Sequence, residues 1–376
     1  MGLIAERVHS NSIADYIRFR AVCTAWRSCS DDPRALGVFD RGWIMLPRAF
    51  DIHDRRCFLN IFTGWCIHLR IPLLHRRYVL GQTTDGLLVL CWKVTHVVHL
   101  LNPVTGKLIN LPPATAKMLP WITRIEDFLR RYICAALVDD SVAVLQLGRL
   151  GLVIAKPSDK DWTRLYPDGA IMSTMSFAGR IYCATTKKIM VVETAADKQQ
   201  PQLVTAANYE CGEASGFFTR LCLVDNDGVL ILVRVAYGIQ RVKGQLQRTC
   251  KVYRVDLEAR MTVTMAGVGG RTVFVNDRGD RALSVPAGVS PSICADTVYL
   301  CSRYNEGTGR AQVDAFHLPD GRIDMDCRNE RPCSMVDHIA CYVAERQRCC
   351  LARYETESDP FGASARGCAT FRTERD

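Results

Sequence analysis

The chain of 376 residues carries 48 Lys and Arg against 39 Asp and Glu, a formal net charge of +9, and is 48% hydrophobic with a mean hydropathy of 0.00, a profile that suits one large globular domain and a small one. No apolar run nears the roughly 18 to 20 residues that cross a bilayer, and no charged-then-apolar leader opens the chain, so a cytoplasmic or nuclear protein with no membrane partner is expected. Lys and Arg are spread along the chain rather than massed in a block with interleaved aromatics, which argues against nucleic acid as a partner.

Met1-Gly2 invites a myristoylation reading, but Glu6 stands where that motif requires Ser or Thr. The first predicted element is a short amphipathic helix over residues 15–28, DYIRFRAVCTAWRS. Phe19, Val22, Cys23 and Trp26 follow the i, i+3, i+4, i+7 spacing of one helical stripe, and Arg18, Arg20 and Arg27 fall largely outside it. Ser12 with Asp15 three positions on resembles a capping box, and Pro33 forbids continuation beyond the polar run from Ser28.

Together with Leu3-Ile4-Ala5-Glu6-Arg7-Val8, this stretch resembles the second half of a plant F-box, through its Arg18-Phe19-Arg20-Ala21-Val22-Cys23 and Trp26-Arg27 core. F-boxes usually begin with a Leu-Pro pair and a further apolar turn; here Met1 falls where that turn should be under way, so the expectation is a head shortened at its N-terminus, residues 1–40. The resemblance implies docking onto a Skp-family adaptor of cullin-RING ubiquitin ligases. The residues expected to bind it are Leu3, Ile4, Val8, Ile17, Val22, Cys23 and Trp26, with Trp26 as the strongest contact because large aromatics dominate such patches. Val22 and Cys23 fit the core of the head equally well.

Residues 36–47 read as a linker with a strand or a last short helix. Beyond about Trp43, short β-runs alternate with turn residues. Asp85-Gly86 precedes Leu87 to Leu90, with His96 to Leu101 as the next strand. Asn102-Pro103-Val104-Thr105-Gly106 forms a turn that leads to Leu111-Pro112-Pro113. The same grammar returns at 132–138 and 142–147, at 152–155, at 180–183 and 189–192, and at 221–224 and 229–235 across Asp225-Asn226-Asp227-Gly228. Residues 251–257, 272–275 and 297–301 are further strands, and only 116–129, which contains Pro120, has a weak helical pattern.

Many short strands without crossover helices exclude a doubly wound α/β fold. About 300 residues exceed a sandwich but match about six propeller blades of roughly 40 to 50 residues each. The expected fold is therefore mainly β, a kelch-like propeller after a small α-helical head. In chain order, residues 82–88, 101–106, 111–113, 177–182, 223–234, 252–257 (Val-Tyr-Arg-Val-Asp-Leu) and 270–275 resemble the KIB-type β-propeller domain, which in plants follows an F-box. Arg260-Met261-Thr262-Val263 departs from that family, which usually places a Trp there. On this reading residues 41–350 form the propeller and 351–376 a polar, loosely ordered tail.

No nucleophile elbow, Walker loop or His-Glu-x-x-His motif occurs, so no catalytic residue is expected. The Ala266-Gly267-Val268-Gly269-Gly270-Arg271-Thr272 stretch lacks the Lys-Ser/Thr ending of a phosphate loop and reads as a turn. His96 and His99 on one strand would point to opposite faces, Asp225 and Asp227 lack the further oxygen ligands of a calcium loop, and the eighteen cysteines show no Cys-x-x-Cys pair, so neither a metal nor a cofactor is expected. Without a secretory leader the cysteines read as reduced, small apolar residues, and Trp65, Trp92, Trp121 and Trp162 as packing anchors. Two functions lead: a substrate-recognition adaptor of an SCF-type ligase, with an unknown protein substrate held on one loop-lined propeller face, or a stand-alone propeller interaction module whose F-box no longer functions. A propeller enzyme, whose site would assemble from distant loops, is a third reading that the missing catalytic constellation disfavours.

Overall fold

A computed structural model describes residues 42–47, 55–83, 86–103, 106–114, 135–138, 142–147, 149, 151–194, 201–209, 217–239, 246–279, 281–305, 310–325 and 334–344, and of the N-terminal part Ile4, Val8, Tyr16, Phe19, Arg20 and residues 22–30. The weak helical pattern of 116–129, the tail of 351–376 and Trp121 lie outside these residues.

Strands dominate. β1 (Trp43–Met45), β2 (Arg55–Asn60) and β3 (Cys66–Arg70) make one antiparallel sheet. β4 (Arg77–Gln82), β5 (Leu88–Trp92), β6 (Val97–Leu101) and β7 (Leu108–Pro113) make a four-stranded meander. β8 (Ala135–Val138), β9 (Val142–Leu147), β10 (Gly151–Ala155) and β11 (Thr163–Leu165) repeat it. An eight-stranded sheet follows, built from two such meanders: β12 (Ile171–Phe177), β13 (Arg180–Thr185), β14 (Lys188–Glu193) and β15 (Gln202–Asn208), then β16 (Phe217–Asp225), β17 (Leu230–Ile239), β18 (Leu246–Asp256) and β19 (Met261–Met265). They join through a single parallel pairing of Asn208 with Met261.

The last sheet is irregular. β20 (Arg271–Asn276) pairs antiparallel with β21 (Ala282–Pro286) on one side and parallel with β22 (Thr297–Asn305) on the other, and β23 (Arg310–His317) and β24 (Ile323–Asp324) complete the order. The run 287–296, which includes a 3-10 turn at Ala287–Val289, returns the chain so that β22 can start beside the start of β20.

The first strands of successive sheets meet around the centre: β4 lies against β8, β8 against β12, β12 against β16 and β16 against β21. Their alternating side chains fill the space between neighbouring sheets. Leu80, Val89 and Leu100 pack with Leu145 and Val153; Val144 and Leu152 pack with Ile181 and Met190; Tyr182 and Val191 pack with Leu223 and Leu232; Val224 and Val233 pack with Val273 and Val298. The next cluster brings Ile44, Leu59 and Ile61 of the first sheet against Phe274, Tyr299 and Val313 of the last, which closes the circle. This mainly-β, propeller-like arrangement of antiparallel sheets with few helices agrees with the expected fold class.

Polar side chains tie the sheets as well. The Gln82 amide at the end of β4 donates to Trp43 O at 2.7 Å and accepts from Met45 N at 2.9 Å, pinning β1. Ser173 Oγ accepts from Leu223 N at 3.0 Å, and Ser284 Oγ donates to Asn226 Oδ1 at 2.6 Å. Arg248 of β18 forms an ion pair with Asp314 of β23, whose side chain is 0% exposed.

Among the described residues two α-helices are defined from end to end. The expected continuous helix over residues 15–28 is interrupted: Tyr16, Phe19, Arg20 and Val22 are helical, but Cys23 is extended (φ −160°, ψ 170°) and caps a new helix, α1 (Thr24–Ser28), by accepting from Trp26 N at 3.4 Å. A side chain able to cap, followed by β-branched Thr24, favours a fresh start over continuation. Arg20 Nη1 then donates to Arg27 O at 3.1 Å and to Ser30 Oγ at 3.0 Å, bracing the C-terminal end of α1.

The second helix, α2 (Met335–Ala344), was not expected. Ser334 Oγ accepts from Asp337 N at 3.3 Å, and the Asp337 carboxylate accepts from Ser334 N at 2.8 Å, a reciprocal cap. Val336, Ile339, Ala340 and Val343 bury one face against β20, β22 and β23.

Candidate partner-binding surfaces

The helical head has two sides of opposite character. Tyr16 and Phe19 are buried, and Val8 and Trp26 are partly buried, in a cluster with Trp43, Phe58, Leu88, Leu90 and Leu101 of the first two sheets. The Trp26 and Phe19 rings stack with centroids 4.6 Å apart. On the other side Ile4 is 55% exposed and Val22 61% exposed, and Cys23 is exposed too.

The seven expected adaptor-binding residues are thus divided. Ile4, Val22 and Cys23 face outward; Val8 and Trp26 sit in the packing that holds the head on the sheets; Leu3 and Ile17 lie outside the described residues. The break at Cys23 causes the division, because it turns the chain so that Phe19 and Trp26 stay together while Val22 leaves their stripe.

The sheet ends hold the other candidate surfaces. The loop before β20 has the left-handed Gly269 and Gly270 that invited comparison with a phosphate cradle, and its N–H groups already have an anion: Val268 N and Gly270 N donate to Asp296 Oδ1 at 2.6 and 3.2 Å. A Cβ at Gly267 would stand 2.6 Å from Asp296 Oδ1, so a larger residue there has to displace that carboxylate. The Asp225 to Gly228 segment is a turn, as expected, with Gly228 N donating to Asp225 Oδ1 at 2.8 Å. In the turn after β6, Gly106 has φ +72° and donates to Asn102 O at 2.9 Å.

His96 is not on a strand as expected; it occupies the β5–β6 turn at φ 56°, with its N–H on Trp92 O at 3.0 Å, and His99 alone is buried on β6. Desolvation, with the Arg77 charge, holds His99 below its ordinary value. Trp162 anchors as expected, its Nε1 donating to Pro112 O at 3.0 Å, whereas Trp65 is 50% exposed.

One constellation has the connectivity of a nucleophile, base and acid: Thr297 Oγ1 lies 3.1 Å from His317 Nδ1, and His317 Nε2 lies 3.0 Å from Asp324 Oδ2. Thr297 is fully buried and its hydroxyl donates to Ala295 O at 2.9 Å, so the set laces β22, β23 and β24 together. Among the described residues no group of three or more His, Cys, Asp or Glu is arranged to hold a metal. The eleven described cysteines are unbridged; burial pushes the Cys91, Cys183 and Cys250 thiols up to about 12. Among the described residues no helix is long and apolar enough to cross a membrane.

Sequence reasoning missed a basic corner on the second sheet. The turn before β4 and the β5–β6 turn are joined by Lys93 N donating to Arg76 O at 3.1 Å. They carry His75 and Arg76, both exposed, Arg77 with its guanidinium 4.5 Å from the Trp92 ring centroid, and Lys93 with Nζ 5.3 Å from the Tyr78 ring centroid. The two turns lie about fifteen positions apart in sequence, with Arg77 paired opposite Trp92, so only strand pairing brings them together.

A family model described as the KIB1-4 beta-propeller matches residues 58–323. No curated protein matches the chain. Among solved structures, virginiamycin B lyase from Staphylococcus aureus is similar at 10% identity and a TM-score of 0.28, over 66% of this chain and 83% of the lyase. The apo form of AztD from Citrobacter koseri is similar at 7% identity and a TM-score of 0.31, over 72% of this chain and 79% of AztD. The β-propeller domain of Cps50 (Swd1) from Myceliophteria thermophila is similar at 9% identity and a TM-score of 0.29, over 74% and 84%.

Proposed function

Because this chain belongs to the KIB1-4 beta-propeller family, we propose that it is the substrate-recognition adaptor of an SCF-type ubiquitin ligase. The F-box-like head engages a Skp-family adaptor and, through it, a cullin-RING ligase, while the propeller holds the protein to be ubiquitinated. The chain contributes no catalytic group. It works by proximity, raising the effective concentration of a substrate lysine at the ligase's E2. The same reading takes the ring as six-bladed, supported by the division of the eight-stranded sheet into two four-stranded meanders.

The observation that carries the reading is the outward side of the head, where Ile4 and Val22 hold apolar side chains in solvent while Phe19 and Trp26 pack inward. Large exposed apolar side chains on a helical module that is already seated on its own domain are what a second protein covers. The second reading, a stand-alone propeller interaction module, is favoured by the placement of Val8 and Trp26, whose packing against the sheets removes them from the adaptor surface.

Co-purification of the full chain with a plant Skp-family adaptor and cullin separates the two. The ligase reading expects a ternary complex on gel filtration that Val22→Asp abolishes. A native chain that elutes alone at micromolar concentrations of all three proteins establishes the stand-alone module.

A further inference from the structure

We propose that the corner formed by His75, Arg76, Arg77, Trp92, Lys93 and Val94 is the docking site for an acidic segment of the protein that the propeller captures; this deepens the reading of the propeller as the substrate-holding part. The charge there is one-sided. From Arg55 to Pro113 the sequence holds seven Arg and Lys and a single acidic residue, Asp85. Two neighbouring sheets therefore carry most of the excess of cations over the chain, whose net charge is +9. Strand pairing gathers three of these cations at one end of the second sheet, where no described carboxylate pairs with Arg76, Arg77 or Lys93.

The local geometry holds these cations ready for an anion. Arg77 lies across the Trp92 ring with one Nη1 bond to Leu73 O at 2.6 Å, and its Nε is buried with no partner. Burial pulls this guanidinium below its ordinary value. Arg76 is held at φ 60°, a left-handed backbone that an arginine adopts at a cost; its side chain is exposed, and its carbonyl accepts from Lys93 N at 3.1 Å, so the two cationic residues meet backbone to backbone.

The type of partner follows from what lies between the charges. Val94 is 76% exposed in the same turn, and Trp92 is half-buried beneath Arg77. Carboxylates with an apolar side chain among them match both features. A nucleic-acid backbone matches only the charges, and these lack the exposed aromatic platform on which bases stack. Complementary charge of this kind sets the on-rate and the choice of partner more than the final affinity.

Fluorescence anisotropy tests this without any adaptor, so its failure is distinct from failure of the head to bind one. The probe is a fluorescein-labelled dodecapeptide of three Glu-Glu-Leu-Asp repeats, with a twelve-nucleotide oligouridylate and a Lys-for-acid version of the peptide as comparators. The expected result is saturable binding of the acidic peptide that weakens with salt, and at least tenfold weaker binding by Arg76→Glu/Lys93→Glu, while the exposed pair Lys251→Glu/Arg254→Glu on β18 changes little. Arg76→Gly, which relieves the left-handed backbone while removing the charge, is expected to weaken binding too and guards against a folding artefact. Binding undiminished in both variants of the corner, no saturable binding by the native chain, or tighter binding of the oligouridylate would overturn the proposal.

Discussion

The Trp26 indole stacks on the Phe19 ring, centroids 4.6 Å apart and planes 28° from parallel, across a break in the helix at Cys23. The pair is the joint between head and propeller, because both rings belong to the cluster that includes Trp43, Phe58 and Leu90. Trp26→Ala is expected to loosen the head, costing about 1 to 3 kcal/mol for a partly buried aromatic. Limited proteolysis should cut the variant near α1 before the sheets are touched, and Trp26→Phe should resist nearly as well as the native chain.

Gly267 and Asp296 make a second joint. An alanine methyl at 267 would stand 2.6 Å from Asp296 Oδ1, so the carboxylate must move off the Val268 and Gly270 N–H groups. Gly267→Ala is expected to destabilise by about 1 to 3 kcal/mol, by overpacking and stranded donors. Asp296→Ala should cost a similar amount, and the double variant less than the sum, since both act on one contact. Urea unfolding of the four proteins measures the coupling.

The ion pair of Arg248 with fully buried Asp314 joins β18 to β23. Asp314→Ala leaves the guanidinium without its counter-charge in the interior and is expected to cost about 3 to 5 kcal/mol, whereas Arg248→Met/Asp314→Leu, which removes both charges, should recover most of it. Thermal unfolding of the three proteins at one pH distinguishes a charge effect from general misfolding.

Burial holds His338 on α2 below its ordinary value of 6.5, and desolvation does the same to His99 on β6. A base whose folded pKa is depressed is neutral in the native state and takes up a proton more readily once unfolded. Its contribution is therefore fully present above pH 6.5 and is lost as pH falls from there towards the folded value. Melting temperatures measured from pH 7.5 down to 5.5 should fall for the native chain and fall less steeply for His338→Gln/His99→Gln.

The β grammar of the chain was legible because turns write themselves locally. Asn102 to Gly106 and Asp225 to Gly228 mark hairpins through residue types that suit tight backbone, and the strands they bound were expected within a few residues of where they lie. Helix α2 was equally legible and was missed: Ser334 and Asp337 form the cap, and Val336, Ile339, Ala340 and Val343 repeat at helical spacing. The parallel pairing of β20 with β22 was not legible, since it depends on the long return of 287–296 rather than on a turn signal.

The head shows the limit more sharply. The stripe from Phe19 to Trp26 was read as one face, but spacing alone does not reveal that Cys23 starts a new helix, nor which side rests on the sheets. The basic corner at Arg76 and Lys93 was invisible for a related reason: cations that look dispersed along the chain are brought together by the pairing of β4 with β5.

The central claim is that the outward side of the head, not the side stacked on the propeller, engages the ligase. Titration calorimetry of a plant Skp-family adaptor into the native chain, Val22→Asp and Trp26→Phe tests it directly. The account predicts binding by the native chain, a loss of at least tenfold in Val22→Asp, about 1.4 kcal/mol or more, and little change in Trp26→Phe. Unchanged affinity in Val22→Asp, or no heat of binding from the native chain, would contradict it.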